Sequence, residues 1–322
     1  MSTPNSAHSA APHTEVRLIA SSGYPHDVAI AARGCAWLKH HGYHMTNPDV
    51  LARRYLRFGG TDAERLADLN AIGTGAPGEL TLAVRGGYGI ARLLEGLDFA
   101  RIAEQARATG TPIVGHSDFT AFQLAYLAAT GGVTFAGPML LADFGADIVD
   151  SFMWEHFEGV LRDPAYTVTV QAPQSGGQPF SGPVQGTLWG GNLAMLCSLL
   201  GTPFMPEVEG GILFLEDINE PPYRVERMLV QLLQAGVLGA QHAILLGDFA
   251  NYRVTDYDNG YDMESVVAYL RERLPVPVLT GLPFGHCARK LTLPVGGQAK
   301  LSARADGFEL ALSNYPTLPS LA

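Results

Sequence analysis

Short apolar runs alternate with stretches of helical periodicity through the first half of this chain, and that alternation leaves few architectures open. Val16-Arg17-Leu18-Ile19-Ala20 reads as a strand, ended by Ser21-Ser22-Gly23. A helix is expected over 27–41, stopped by Gly42, and another over 62–72, where Leu66 and Leu69 share one face. Residues 80–84 (Leu-Thr-Leu-Ala-Val) form a strand, 90–107 are mostly helical, 112–115 are a strand, 118–129 a helix and 133–136 a strand. Strands separated by helices build a parallel sheet covered on both faces, and such sheets bind ligands beyond the carboxyl ends of their strands.

The second half is punctuated differently. Pro164, Pro173, Gly176, Gly177, Pro179 and Pro183 mark a crossing between domains, with short strands. A helix over about 190–200, a strand at 211–215, a helix at 223–235, a strand at 243–247 and a helix at 262–273 follow, and Pro- and Gly-punctuated strands fill 277–312. A chain of 322 residues suggests two domains. The expected partition is a disordered Ser-, Ala-, Pro- and His-rich tail at 1–14, a parallel-sheet domain at 15–155, a linker region at 156–183 and a second domain at 184–322.

Apolar residues make up 47% of the chain, enough for substantial cores, yet no run reaches the roughly 18 residues of a membrane span. The tail has neither a basic region nor an apolar core of the signal-peptide kind, so a cytoplasmic protein is expected. Cys35, Cys197 and Cys287 lie far apart, with no CxxC pair. Cys35 and Cys197 sit in apolar helical patterns and read as buried thiols. The formal net charge of −10 disfavours nucleic acid and points to a small-molecule substrate.

Gly73-Thr74-Gly75-Ala76-Pro77-Gly78 matches GxGxxG but follows a helix and precedes a strand, the reverse of a dinucleotide site, and reads as a loop. His40 and His44 have metal-like spacing, but Gly42 breaks the helix between them and a solvated helix end is the simpler reading. Arg85-Gly86-Gly87-Tyr88-Gly89 is better placed, after a strand and before a helix. It is either a tight turn or one side of an oxyanion hole, with Gly87 as one backbone donor and the N–H of Asp118 as the other. Val114-Gly115-His116-Ser117-Asp118 puts Ser117 on a strand-to-helix turn, the geometry of an exposed nucleophile, although most such serines are turns or caps and Phe119 departs from GxSxG. His286, in a segment ringed by Gly281, Pro283 and Gly285, is a candidate base, and Glu216 at the end of an apolar strand is a candidate to orient it. Asp217 reads as a helix cap. Cys287 is expected to face away from His286, as neighbours on a strand do.

These segments together resemble the LD-carboxypeptidase family of serine peptidases. Arg85-Gly86-Gly87-Tyr88-Gly89 with Ala91-Arg92-Leu93-Leu94, and Gly115-His116-Ser117-Asp118, are similar to its amino-terminal half. Gly186-Thr187-Leu188-Trp189-Gly190-Gly191-Asn192-Leu193, Gly201-Thr202-Pro203, Leu215-Glu216-Asp217, Tyr223-Arg224-Val225-Glu226-Arg227, and Gly285-His286 with Leu291-Thr292-Leu293-Pro294 are similar to its carboxy-terminal half. The resemblance spans about 16–312 and is nearest to the cytoplasmic branch acting on murein tetrapeptide.

The resemblance implies a Rossmann-like α/β amino-terminal domain and a β-rich α/β carboxy-terminal domain with the active site between them. It implies Ser117 as nucleophile, His286 as base and acid, Glu216 as the orienting carboxylate, and backbone N–H groups at Gly87 and Asp118 as the oxyanion hole. The implied reaction releases the terminal D-Ala from murein tetrapeptide, at the bond after meso-diaminopimelate, without metal or cofactor, in a homodimer. A cation should hold the terminal carboxylate: Arg289 is the first candidate, with Arg85 and Arg224 behind it. Gly86, Trp189 and Asn192 are expected to line the cleft; a packed Trp and a helix-capping Asn are the alternatives. Relatives that hydrolyse peptide–nucleotide antibiotics carry an extra loop with no counterpart here. A non-catalytic muropeptide binder would not need all three triad positions filled.

Overall fold

The computed structural model describes residues 13–172 and 182–319. The expected tail lies outside the described residues except for His13 and Thr14, and Thr14 opens the first strand. In chain order the first part holds β1 (Thr14–Ile19), α1 (Val28–His40), β2 (Tyr43–Met45), α2 (Asp62–Asn70), β3 (Leu80–Ala83), α3 (Phe99–Thr109), β4 (Ile113–Gly115), α4 (Thr120–Thr130), β5 (Thr134–Ala136) and α5 (Ser151–Arg162). The second holds β6 (Ala165–Gln171), β7 (Val184–Asn192), α6 (Leu193–Ser198), β8 (Ile212–Ile218), α7 (Pro222–Gln234), β9 (Ala243–Ala250), α8 (Met263–Arg273), β10 (Val278–Thr280), β11 (Leu293–Val295), β12 (Gln298–Arg304) and β13 (Gly307–Ser313). Among the described residues no helix is long and apolar enough to cross a membrane.

Two sheets organise these elements. The first has the order β11-β5-β4-β3-β1-β2 and is parallel except for β11, which runs antiparallel to β5. The second has the order β10-β9-β8-β7-β12-β13-β6, with β7 to β10 parallel and β12, β13 and β6 antiparallel. The fold is therefore a mixed α/β one, a parallel-sheet amino-terminal part and a second sheet domain. Helices cover both faces of the central parallel strands, so these are buried almost throughout: all four residues of β3 are buried, as are the first six of β8, where apolar Ile212–Leu215 leads into the buried carboxylates Glu216 and Asp217.

Three local features differ from the periodicity. The helix expected over 90–107 begins only at Phe99, because the Asp98 carboxylate accepts the Arg101 N–H and fixes the start there. The stretch 156–183 holds the end of α5 and all of β6, a strand of the second sheet; residues 173–181 lie outside the described ones. Strand β11 belongs to the first sheet although its sequence lies deep in the second half.

Candidate active site

The site is built where β4 meets α4. A single 3-10 turn, Ser117–Phe119, joins them. Ser117 has φ 64, a left-handed conformation that costs an L-residue about 1–2 kcal/mol and holds the side chain out of the turn. The buried aromatics around it hold the turn in place: Phe119 and Phe122 are fully buried, with ring centroids 5.1 Å apart. The Asp118 carboxylate accepts from Ser22 Oγ (2.7 Å) and from the Ile90 N–H (3.1 Å), tying the turn to the segment that follows β3. That segment comes very close: a Cβ on Gly86 would lie 2.7 Å from both Cβ and Oγ of Ser117. Only glycine lets the backbone pass there.

The second half supplies the partners. His286 sits in the segment between β10 and β11, and its Nε2 lies 2.9 Å from Ser117 Oγ. Its Nδ1 lies 2.7 Å from Oε2 of Glu216, which is fully buried on β8. A carboxylate only accepts, so Nδ1 carries the proton and Nε2 is free to accept from the serine hydroxyl. Asn192, at the junction of β7 and α6, donates from Nδ2 to Glu216 Oε1 (3.1 Å) and Asp217 Oδ1 (3.2 Å). Its backbone N–H donates to Thr120 Oγ1 (3.1 Å), three residues after Ser117. The hydrogen bonds thus close a ring, Ser117–His286–Glu216–Asn192–Thr120, that crosses between the two halves of the chain twice.

Behind His286 lies a second polar group that the sequence reading did not single out. Lys290 and Asp143 form an ion pair of 2.7 Å with both side chains buried. Lys290 Nζ also lies 3.4 Å from Nε2 of His116, whose Nδ1 is 2.9 Å from the Gly137 carbonyl. The carbonyl accepts and the ammonium donates, so His116 is held neutral with its proton on Nδ1. Burial, reinforced by the Lys290 charge, pushes its pKa well below the usual imidazole value.

A cavity of about 600 Å³ opens over Ser117 and His286, within the size range of small-molecule sites. Arg85, Gly86 and Gly87 line it, as do His26, Asn219 and Lys290. The expected candidates divide accordingly. Arg289 does not line it: the residue is exposed and its guanidinium lies 3.7 Å from the Phe152 ring centroid. Arg224 pairs with Glu220. Trp189 is a core residue whose indole N–H donates to Gln241 Oε1 (2.9 Å). Asn192 caps α6 through the Met195 N–H and is buried beneath Glu216. Asp217 is a cap as expected, but of α6, accepting the Ala194 N–H (2.9 Å). Burial and the adjacent Glu216 charge push its pKa up to about 6. Cys287 lines the same cavity as His286, because this segment is not a strand. Its thiol donates to the Arg289 carbonyl (3.2 Å), and burial pushes its pKa up to about 11, so it is not a thiolate at neutral pH. His26, Asn219 and Lys290 carried no motif; only the position of Lys290 four residues past His286 could have pointed to it.

Residues 16–137 match the family model for the LD-carboxypeptidase N-terminal domain, and residues 185–301 match that for the C-terminal domain. A probable murein peptide carboxypeptidase of Bacillus subtilis is 35% identical over 244 residues, covering 76% of this chain and 75% of the relative. A murein tetrapeptide carboxypeptidase of Pseudomonas aeruginosa is 32% identical over 274 residues, covering 82% and 85%. The crystal structure of a muramoyltetrapeptide carboxypeptidase from Oxalobacter formigenes superposes with a TM-score of 0.85 at 42% identity, covering 94% of this chain and all of that one. Both family models fall on the two halves that meet at Ser117 and His286, and the chain belongs to the LD-carboxypeptidase family.

Proposed function

We propose that the protein is a serine carboxypeptidase that releases the terminal D-Ala from murein tetrapeptide, cutting after meso-diaminopimelate, in peptidoglycan recycling. The observation that carries this reading is the continuous hydrogen-bonded chain from Ser117 through His286 to a fully buried Glu216, set in the wall of the cavity.

In the first step Ser117 Oγ attacks the scissile carbonyl and its proton passes to His286 Nε2. Glu216 stabilises the imidazolium that results. The N–H groups of Gly87 and Asp118 take the developing oxyanion. The His286 proton then goes to the leaving amine of D-Ala as the C–N bond breaks. Water, deprotonated by the same imidazole, attacks the acyl-enzyme, and collapse of that intermediate frees the tripeptide and returns the proton to Ser117. Arg85 is the cation we assign to the terminal carboxylate, because it lines the cavity and no carboxylate pairs with it among the described residues. Three free thiols suit a reducing cytoplasm, and a second copy of the chain is the partner that the resemblance implies. Light scattering checks the latter.

Ser117→Ala is expected to keep its fold and lose about 10³-fold or more in kcat, since the covalent route is gone. Mass spectrometry of products from free and disaccharide-linked tetrapeptide reads both the bond cut and the rate. Release of D-Ala near the original rate by that variant would end the assignment.

A further inference from the structure

The described arginines differ in how their charge is met. Arg17, Arg53 and Arg65 pair with Glu79, Asp68 and Asp62. Arg54, Arg57 and Arg85 have no carboxylate within ion-pair distance among the described residues. Arg85 Nη1 donates to the Tyr24 carbonyl (3.3 Å) and lies 2.8 Å from His26 Nδ1. The Arg54 guanidinium lies 4.5 Å from the Tyr24 ring centroid, and that of Arg57 lies 5.7 Å from the Tyr88 ring centroid. The Tyr24 N–H donates to the Arg57 carbonyl (3.2 Å), which ties the turn carrying Arg57 to the cavity wall. Arg57 is near enough that its charge, after burial, lowers the Arg85 pKa. Tyr88 follows Gly87, so the cluster adjoins the backbone assigned to the oxyanion.

Arg85 lines the cavity, and Arg54 and Arg57 flank it through the Tyr24 and Tyr88 rings; in a chain of net charge −10 no carboxylate among the described residues pairs with any of the three. A guanidinium lying over an aromatic ring keeps its N–H edge available to a planar anion. One terminal carboxylate is met by Arg85 alone, as a bidentate pair. Arg54 and Arg57 remain in excess and are exposed.

We propose that Arg54 and Arg57 form a second anion subsite, beyond Arg85, that takes another carboxylate of the peptide close to the scissile bond. The inference rests on the carboxypeptidase reading above. The preferred substrate class is then a peptide with two carboxylates near its cleavage point, one terminal and one on a side chain.

The test uses two tetrapeptides ending in D-Ala, identical except that the side-chain carboxyl of diaminopimelate is free in one and a carboxamide in the other. The full-length wild type is expected to prefer the acid by about 10-fold in kcat/KM, and the preference shrinks as ionic strength rises. Arg57→Gln is expected to cut that preference to about 2- to 3-fold, Arg57→Lys to restore part of it, and the double change with Arg54→Gln to abolish it. Both side chains are exposed, so the fold is not at stake. Equal cleavage of the two peptides by the wild type, with Ser117→Ala inactive, overturns the subsite and leaves the reaction standing. An unchanged preference in the double variant does the same. No cleavage of either peptide by the wild type overturns both.

Discussion

Glu216 is held at both oxygens, and this decides what its removal does. Oε2 faces the N–H of His286 and Oε1 faces the amide N–H of Asn192. A glutamine there has one acceptor and one donor, so either Asn192 or His286 meets a second N–H. If it is His286, the ring proton shifts to Nε2 and the imidazole no longer accepts from Ser117. Glu216→Gln is therefore expected to lower kcat by about 10³-fold with the fold intact, as for a triad locked in the wrong tautomer; a loss below about tenfold would remove Glu216 from that role. His116 makes a different prediction, on stability. Its folded pKa lies well below the ordinary imidazole value of 6.5, so its contribution is fully present above that pH and is lost as pH falls toward the folded value. Asp217 has the opposite sign. Its pKa is raised from 3.8 to about 6, so its contribution is present below the ordinary carboxylate range and is lost as pH rises through about 6. His116→Asn keeps a donor for the Gly137 carbonyl and removes the titrating ring. Urea midpoints of wild type and variant should therefore converge as pH is lowered from about 7 to 5, the wild type falling more steeply. Parallel curves would mean that the ring does not carry the acid sensitivity.

At the scale of elements, the site depends on how closely β7 approaches α4. Gly191 has φ +132, and a Cβ there would lie 2.7 Å from Thr120 Oγ1. Gly191→Ala thus combines an unfavourable backbone conformation with a clash at the hydrogen bond that joins Asn192 to Thr120. A loss of about 1–3 kcal/mol in chemical denaturation is expected, with kcat reduced because Glu216 loses its register. A variant of unchanged stability and kcat would show that the ring of hydrogen bonds is incidental. The elements that form this site were legible to different degrees. The runs at 80–84, 112–115 and 211–215 could be read because buried parallel strands are continuously apolar and are separated by helical periodicity. Ser117 and Glu216 each stand just past the end of such a run, where a sheet presents its side chains, whereas His286 stands in the irregular segment between β10 and β11. Strand β11 was not legible as part of the first sheet: three residues carry no period, and its partner β5 lies far back in the chain. Helix α5 was cut by the expected linker at 156–183, although Met153, His156, Phe157, Val160 and Leu161 form its buried stripe at helical spacing. The expected place of Arg289 in the cleft is not met, for a related reason. The segment 281–292 is irregular, and no periodicity tells which of two adjacent cations turns toward the cavity.

On the scale of the whole molecule, the two halves share more than a cleft. β11 extends the first sheet with residues from the second half, Leu293 pairing with Ala136 and Val295 with Thr134. The chain end returns as well: the Leu318 N–H donates to the Leu161 carbonyl (2.7 Å), and Tyr315 packs edge-on to Phe135 with centroids 5.8 Å apart. Buried residues of both halves form one contiguous apolar cluster, from Val16 through Phe135 and Leu193 to Leu318. A molecule built from two separable lobes would place Ser117 and His286 on bodies free to drift, and the hydrogen bond of 2.9 Å between them would depend on substrate to close it. Shared strands instead hold the pair together before substrate arrives, which is the preorganisation that nucleophilic catalysis needs. The consequence is thermodynamic. Removing the second half strips β5 of its neighbour and exposes Phe135 and the apolar face of α4, so residues 13–162 alone should not fold to a dispersed native state. The intact chain should unfold in calorimetry as a single transition, with van't Hoff and calorimetric enthalpies in agreement. Two resolved transitions, or a well-dispersed amide spectrum from the isolated fragment, would show that the halves fold independently and that the alignment of Ser117 with His286 has to be achieved by binding.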